Sequence, residues 1–348
     1  MVGVGDEAPV ILCDIPGSFP ESVVRERHPA IVRQVLESTP WPPPVVSALR
    51  ALRDEEVVVP LPGWTEYAGR RWVDTPFLWA ESFFYHRVLH ATGYFDDGPW
   101  RGVDPYAPQK AAELAKVPPV QVRPPAEVLL AAVWGNRADL GFRLSRTATH
   151  TPSDDLLVDE SHDFWVYLRS CEPGRVALVA DNAGPELLPD LMLIEHLLTE
   201  KLATAVDLHL KPYPYFVSDA TTADLLACLD RLPTTGIADA LRDGRLTVRT
   251  HPFNAAPRSY RHLPDDLRAE FAAATVTILK GDLNYRRLVS DRRWPASTPF
   301  AEVTAYFPSP VLALRAIKSE VLVGAPDQVD GDQSWRVTGS RALIQFRP

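Results

Sequence analysis

The stretch "RVALVADNAGPELLPDLMLIEHLL", Arg175 to Leu198, decides the fold. Five apolar residues, Val176 to Ala180, stop at an acid and an amide, Asp181 and Asn182. A short apolar run ending in polar turn residues reads as a buried strand. The turn Ala183–Gly184 follows, and then Pro185–Leu198 carries apolar residues at helical spacing. The same rhythm continues downstream. Ala205–Leu210, Leu246–Arg249, Val276–Leu279, Val311–Leu314 and Ala342–Phe346 read as further strands, and Thr222–Leu232, Pro264–Ala273 and Leu283–Ser290 as helices. Strand–helix alternation of this kind builds a parallel sheet with helices on both faces. The expected fold class is α/β: a three-layer α/β/α core with a mostly parallel Rossmann-like sheet, spanning residues 151–348.

Residues 1–150 have a different rhythm. Glu21–Ser38, Asp74–Phe95 and Pro124–Asn136 read as helices, separated by Pro-rich joints at Trp41–Pro44 and Pro118–Pro125. They form either a mainly helical N-terminal domain or a cap on the sheet.

Composition narrows the class of function. The chain has 348 residues, 46% of them apolar, enough for a full core. No apolar run reaches the length of a membrane span, so no membrane partner is expected. Met1–Asp14 lacks a basic region followed by an apolar one, and three scattered cysteines (Cys13, Cys171, Cys228) make neither a disulfide framework nor a CxxC site. The expected location is the cytoplasm. A net charge of −9 without a basic block argues against nucleic acid as a partner. Of 36 Lys plus Arg, six are Lys: 110, 116, 201, 211, 280 and 318. A lysine kept in so arginine-rich a chain marks a position suited to a compact point charge rather than a planar fork.

In open α/β sheets, ligands bind beyond the carboxyl ends of the strands. Four polar segments fall there. Asp181 and Asn182 follow the first strand. "LHLKPYPYFVSDAT" (Leu208–Thr221) supplies Lys211, Ser218, Asp219 and Thr221; "ILKGDLNYRRL" (Ile278–Leu288) supplies Lys280, Asp282, Asn284 and Arg286; "LALRAIKSEVLVG" (Leu312–Gly324) supplies Arg315 and Lys318. Each segment alone also reads as an ordinary turn, helix cap or solvated face. Together, hard oxygen donors of the kind that suit Mg²⁺ or Mn²⁺ lie beside cations, which points to a phosphate ester. No dinucleotide fingerprint, Walker A, HExxH or GxSxG sequence is present.

These segments, with "WAESFFYHR" (Trp79–Arg87), "WGNRADLGF" (Trp134–Phe142) and the tail "WRVTGSRALIQF", resemble the signature segments of the metal-dependent damage-control phosphatases, in the branch of the acidic-residue methyltransferase 1-like proteins. The resemblance runs from about residue 16 onward. It implies a helical N-terminal part, an α/β/α core, and hydrolysis of small phosphate esters, including fructose 1- and 6-phosphates, with Mn²⁺, Co²⁺, Ni²⁺ or Mg²⁺. It assigns Asp181, Asn182 and Asp219 as metal ligands. It assigns substrate contacts to Asp282, Leu283, Asn284, Tyr285, Arg286 and Lys318, with Glu186 lining the site. Beside it, Lys280, Arg286 and Lys318 are expected to face the phosphoryl oxygens. Asp282 is a general acid or base, or orients Lys280 or Lys318; the nucleophile is water or the Asp181 carboxylate.

Two positions depart from the family pattern. Ala316 stands where the branch carries Thr, and Asn254 where it carries Trp, on what is expected to be a pocket wall. Both spare the metal ligands, so a shifted substrate preference is expected. A methyl-transferring enzyme using S-adenosylmethionine and a non-catalytic sugar-phosphate binding protein are the alternatives. The first lacks a Gly-rich nucleotide loop after the opening strand. The second leaves the three metal-ligating residues without a purpose.

Overall fold

A computed structural model describes residues 8–120, 124–135, 155–326 and 334–348. One seven-stranded sheet organises it, formed by β1 (Leu156–Asp159), β2 (Gly174–Val179), β3 (Ala203–Leu210), β4 (Leu246–Thr250), β5 (Val276–Lys280), β6 (Val311–Ala316) and β7 (Ala342–Arg347). The spatial order is β1-β7-β6-β5-β2-β3-β4. Every pairing is parallel except β6 with β7. The architecture is α/β. All six strands expected from the apolar runs are present. β1 was not expected: it has four residues at the sheet edge, none fully buried, and so lacks the apolar run that marked the others.

Side chains alternate across each strand, and this splits the core into two layers. Ala177, Val179, Leu279 and Ala313 face a layer that includes Phe77–Ala91 and other N-terminal helical segments, together with residues of Gly281–Val289. Val176, Leu178, Ile278 and Leu312 face the opposite layer, with the helices Val128–Trp134, Ser161–Ser170 and Leu187–Thr199. The N-terminal helices thus share a continuous apolar core with the sheet. The helix Leu187–Thr199 is apolar almost all round because it is sandwiched between the sheet and its neighbours.

The strand order positions the site. From β2 the chain moves outward through β3 to β4, then returns so that β5 lies on the other side of β2. The order reverses between β2 and β5, and a crevice opens there beyond their carboxyl ends. Val179 is in register with Leu279, which brings Asp181 after β2 opposite Gly281 after β5.

Candidate active site

Beyond the sheet, the segments that follow β2 and β3 close on each other like a short antiparallel ladder. Asn182 and Asp219 form a bridge. The amide of Ala183 donates to the carbonyl of Ser218 at 2.7 Å, and that of Ala220 to the carbonyl of Asp181 at 2.8 Å. Residues 37 positions apart, Asp219 and Asn182, are thereby fixed side by side with Asp181 next to them. The Asn182 amide donates to Asp181 Oδ2 at 3.1 Å and accepts from the Ser218 hydroxyl at 2.7 Å. Asp219 Oδ2 accepts from the amide of Phe216 at 3.0 Å.

The carboxylates crowd one another in a dry place. Burial, then the charges of Glu186 and Asp219, push the Asp181 carboxyl well above the usual carboxylate range against the pull of Lys318 and Lys211. Burial likewise raises Asp219, with Lys211 opposing. Gly281 makes the cradle for Asp181. It opens the helix Gly281–Val289 at φ +82°, and a Cβ there would lie 1.9 Å from Asp181 Oδ2. A glycine is therefore required both by the backbone and by the neighbour.

A cavity of about 130 Å³ adjoins this point, with Asp181, Glu186, Lys280, Gly281, Asp282 and Lys318 on its polar side. Val133, Trp134, Leu314 and Ala316 form its apolar wall. Lys318 is its accessible cation: its side chain is 46% exposed and Nζ stands 3.4 Å from Glu186 Oε1. Glu186 first, then Asp181 and Asp282, hold the Lys318 ammonium above its ordinary pKa against desolvation. Asp282 is tied to the segment that carries Lys318. Its Oδ1 accepts from the Lys318 amide at 3.0 Å, Arg315 Nε at 2.8 Å and the Ser319 hydroxyl at 3.2 Å. Burial pushes its carboxyl up, but Arg315 and Arg286 outweigh burial and hold it below the usual range.

The remaining side chains assigned from the sequence are placed differently. Lys280 reaches the cavity wall, but its Nζ is 2.6 Å from the buried Asp190 and also donates to the carbonyl of Ala132. Burial raises the Asp190 carboxyl to about 7 even against Lys280. Leu283 packs on Leu78, Tyr215 and Ala255. Asn284 donates to the carbonyls of Ala180 and Lys280 and accepts from Tyr260. Tyr285 is bonded to Gln345 under the guanidinium of Arg315. Arg286, expected to face the phosphoryl oxygens, is not among the residues that line the cavity: it is buried between Asp291, at 2.7 Å, and Glu81, at 2.6 Å. Asp291 lies five residues further along the chain, but Glu81 is 205 positions away, so no local pattern announced the pair. Arg286→Met is expected to destabilise the protein by about 3–5 kcal/mol in urea unfolding, because it strands two buried carboxylates; a loss under 1 kcal/mol would refute that reading. Asn254 is also off the cavity. It is fully buried, donating to the carbonyl of Leu210 at 3.4 Å, whereas Ala316 is on the cavity wall. Of "WGNRADLGF", Trp134 lines the cavity; Asn136 and Asp139 lie outside the described residues.

Four contributors, Gly281, Thr338, Gly339 and Lys211, were given no role from the sequence. Gly281 carried a legible signal, a glycine at a strand-to-helix turn. Thr338 and Gly339, from the tail segment that shares the resemblance, complete the cavity wall. Lys211 is 2% exposed, and its ammonium has no hydrogen-bond partner among the described residues; Asp219 and Asp181 are the anions that act on it.

A family model described as the damage-control phosphatase ARMT1-like domain matches residues 23–333. The chain belongs to this family. With it the chain joins the phosphatases. Members similar to it include damage-control phosphatase ARMT1 of Mus musculus, 27% identical over 79% of this chain and 75% of that protein, and of Rattus norvegicus, 26% identical over 95% and 96%. The Bos taurus protein is 32% identical over 63% of this chain and 58% of its own length. A crystal structure of a DUF89 family protein from Pyrococcus horikoshii shares the fold, with a TM-score of 0.54 at 16% identity over 93% of this chain and 98% of that one.

No helix of the described residues is long and apolar enough to cross a membrane. Among them no three His, Cys, Asp or Glu side chains converge as a metal site; the set Asp181, Asn182, Asp219 owes one donor to an amide.

Proposed function

We propose that this phosphatase hydrolyses small phosphate esters, sugar phosphates such as fructose 1-phosphate or fructose 6-phosphate among them, with the help of Mn²⁺, Co²⁺, Ni²⁺ or Mg²⁺. The observation that carries the reading is the ladder after β2 and β3, which pairs the backbone of Asn182 with that of Asp219 beside Asp181 at the switch point, with Gly281 leaving room for the Asp181 carboxylate. The donor set suits a hard divalent cation. The crowding that raises Asp181 and Asp219 is the crowding a cation relieves. Asp181, Asn182 and Asp219 would hold the ion. When bound, it would neutralise phosphoryl oxygens and lower the barrier to attack at phosphorus.

The chain's own groups do the rest. Lys318 holds the phosphate as a point charge, and Glu186 and the Asp282-anchored backbone aim it. The helix Gly281–Val289 has no side chain capping its N-terminus, and its first residues, Gly281 and Asp282, line the cavity, so its uncapped end favours an anion there. Asp282, held ionised, keeps the Lys318 segment in place. The apolar wall of Val133, Trp134, Leu314 and Ala316 excludes water beside the ester. Ala316 offers that wall no hydroxyl, which supports a substrate preference shifted from the rest of the branch.

The test is phosphate release from a panel of esters by metal-stripped protein, before and after each ion is added, with Asp181→Ala alongside. Metal is expected to restore turnover, and Asp181→Ala to lower it by at least about 100-fold, or ~2.7 kcal/mol of barrier. Turnover that survives either chelation or Asp181→Ala would overturn the proposal. Equal turnover on fructose phosphates and every other ester would remove the shifted preference.

A further inference from the structure

The N-terminal helix Ala107–Lys116 reaches both loops that carry the proposed metal ligands. Leu114 packs where Gly184 leaves room, two residues after Asn182: a Cβ at Gly184 would lie 3.7 Å from the Leu114 Cβ. One turn earlier, Lys110 enters the other loop. Its side chain is 5% exposed, and its ammonium meets three acceptors: the backbone carbonyl of Asp219 at 3.0 Å, Asp224 Oδ2 at 2.8 Å and Asp104 Oδ2 at 2.9 Å.

From this geometry we infer that Lys110 is a positioning residue for the metal-binding loop, setting the conformation of Asp219 through its carbonyl. The inference rests on the metal-dependent reading above. Asp219 is held at three points: its carboxylate by the Phe216 amide, its backbone by the bridge to Asn182, and its carbonyl by Lys110. Only the last comes from outside the sheet's own loops. Asp224 ties the same ammonium to the next element, since its Oδ2 also accepts from the amide and hydroxyl of Thr221, closing the capping box of the helix Thr222–Leu229. Three protons diverging from one nitrogen match three acceptors on three segments. A planar guanidinium does not match them, which accounts for a lysine in a chain that otherwise favours arginine. The helical N-terminal part therefore shapes the metal site as well as covering the sheet.

A buried ion-pair cluster that only stabilises the fold would have the same contacts, so the test must separate the two roles. Mn²⁺ binding is measured by titration calorimetry on wild type, Lys110→Met, Lys110→Arg and Asp104→Asn, with urea unfolding of each. Asp104→Asn disturbs the cluster but leaves the bond to Asp219 intact. Lys110→Met and Lys110→Arg are expected to need at least about tenfold more Mn²⁺ for half-saturation, the loss typical of removing an outer partner of a metal ligand. Asp104→Asn is expected to stay within about twofold of wild type even where its stability falls. At saturating Mn²⁺, phosphate release by the Lys110 variants is expected to recover to within about threefold. Unchanged Mn²⁺ affinity in the Lys110 variants, or an equal loss in Asp104→Asn, would overturn the inference. If Lys110→Met does not fold, Lys110→Arg against Asp104→Asn decides. Absence of Mn²⁺ binding by the wild type would instead remove the metal-dependent reading itself.

Discussion

Gly281→Ala is expected to lower phosphate release by about 100-fold while leaving a folded protein. Two effects add at this position. The backbone sits at φ +82°, where an L side chain costs about 1–2 kcal/mol. The new Cβ would also lie 1.9 Å from Asp181 Oδ2 and 2.1 Å from its Cγ, far inside any contact that atoms tolerate. The carboxylate has to move by more than an ångström, and a misplacement of that size costs about 100-fold in rate. Gly244→Ala separates the effects. Gly244 ends the helix Gly236–Asp243 at φ +81° with nothing within 4 Å of a Cβ. It bears the same backbone cost without the collision, so it is expected to lose about 1–2 kcal/mol in urea unfolding and to keep full turnover. Phosphate release by Gly281→Ala at the level of Gly244→Ala would show that Asp181 does not need its present position.

The second large effect concerns acid. His28 lies in the core with its ring stacked on Phe84, centroids 3.8 Å apart and planes 2° from parallel, and its Nε2 has no hydrogen-bond partner. Burial, then the charge of Arg27, depress its pKa from 6.5 to about 3. A base with a depressed folded pKa stabilises the fold fully above its unfolded pKa, and that contribution is lost as pH falls between about 6.5 and 3. At pH 5 the loss is about 2 kcal/mol for this one group. The net curve also contains opposite contributions, because the raised carboxyls of Asp190, Glu81, Asp181 and Asp219 gain stability on acidification. A difference between proteins isolates the histidine. His28→Phe keeps a flat ring against Phe84 and removes the titration. Its loss of stability from pH 8 to pH 5 in urea unfolding is expected to be smaller than that of wild type by about 2 kcal/mol. Equal losses in the two proteins would mean that His28 is not held neutral.

What was legible in the sequence follows from local physics. Apolar runs of four to six residues ending in polar turns mark central strands, because buried parallel strands are apolar on both faces. The edge strand β1 escaped because one layer of burial suffices there. The ligand candidates Asp181, Asn182 and Asp219 were legible because the carboxyl ends of such strands are where an α/β sheet opens. Their meeting was not, since it depends on backbone pairing between two loops far apart in the chain.

Charge assignment shows the same division. Arg286 and Lys318 read alike in sequence, as cations in polar motifs after strands. Arg286 is consumed by Glu81 and Asp291, and Lys280 by Asp190, while Lys318 stays accessible beside Glu186. Whether a cation serves a ligand or the core depends on which anions the fold delivers to it, and those lie up to 205 positions away. The sequence by itself determined the α/β sheet, its central strands and the oxygen donors at their ends, because strand burial and turn chemistry are short-range. Only the tertiary structure decided which charges remain for a ligand, that Gly281 must lack a Cβ, and that Lys110 reaches Asp219, because each depends on contacts between segments that chain order keeps apart.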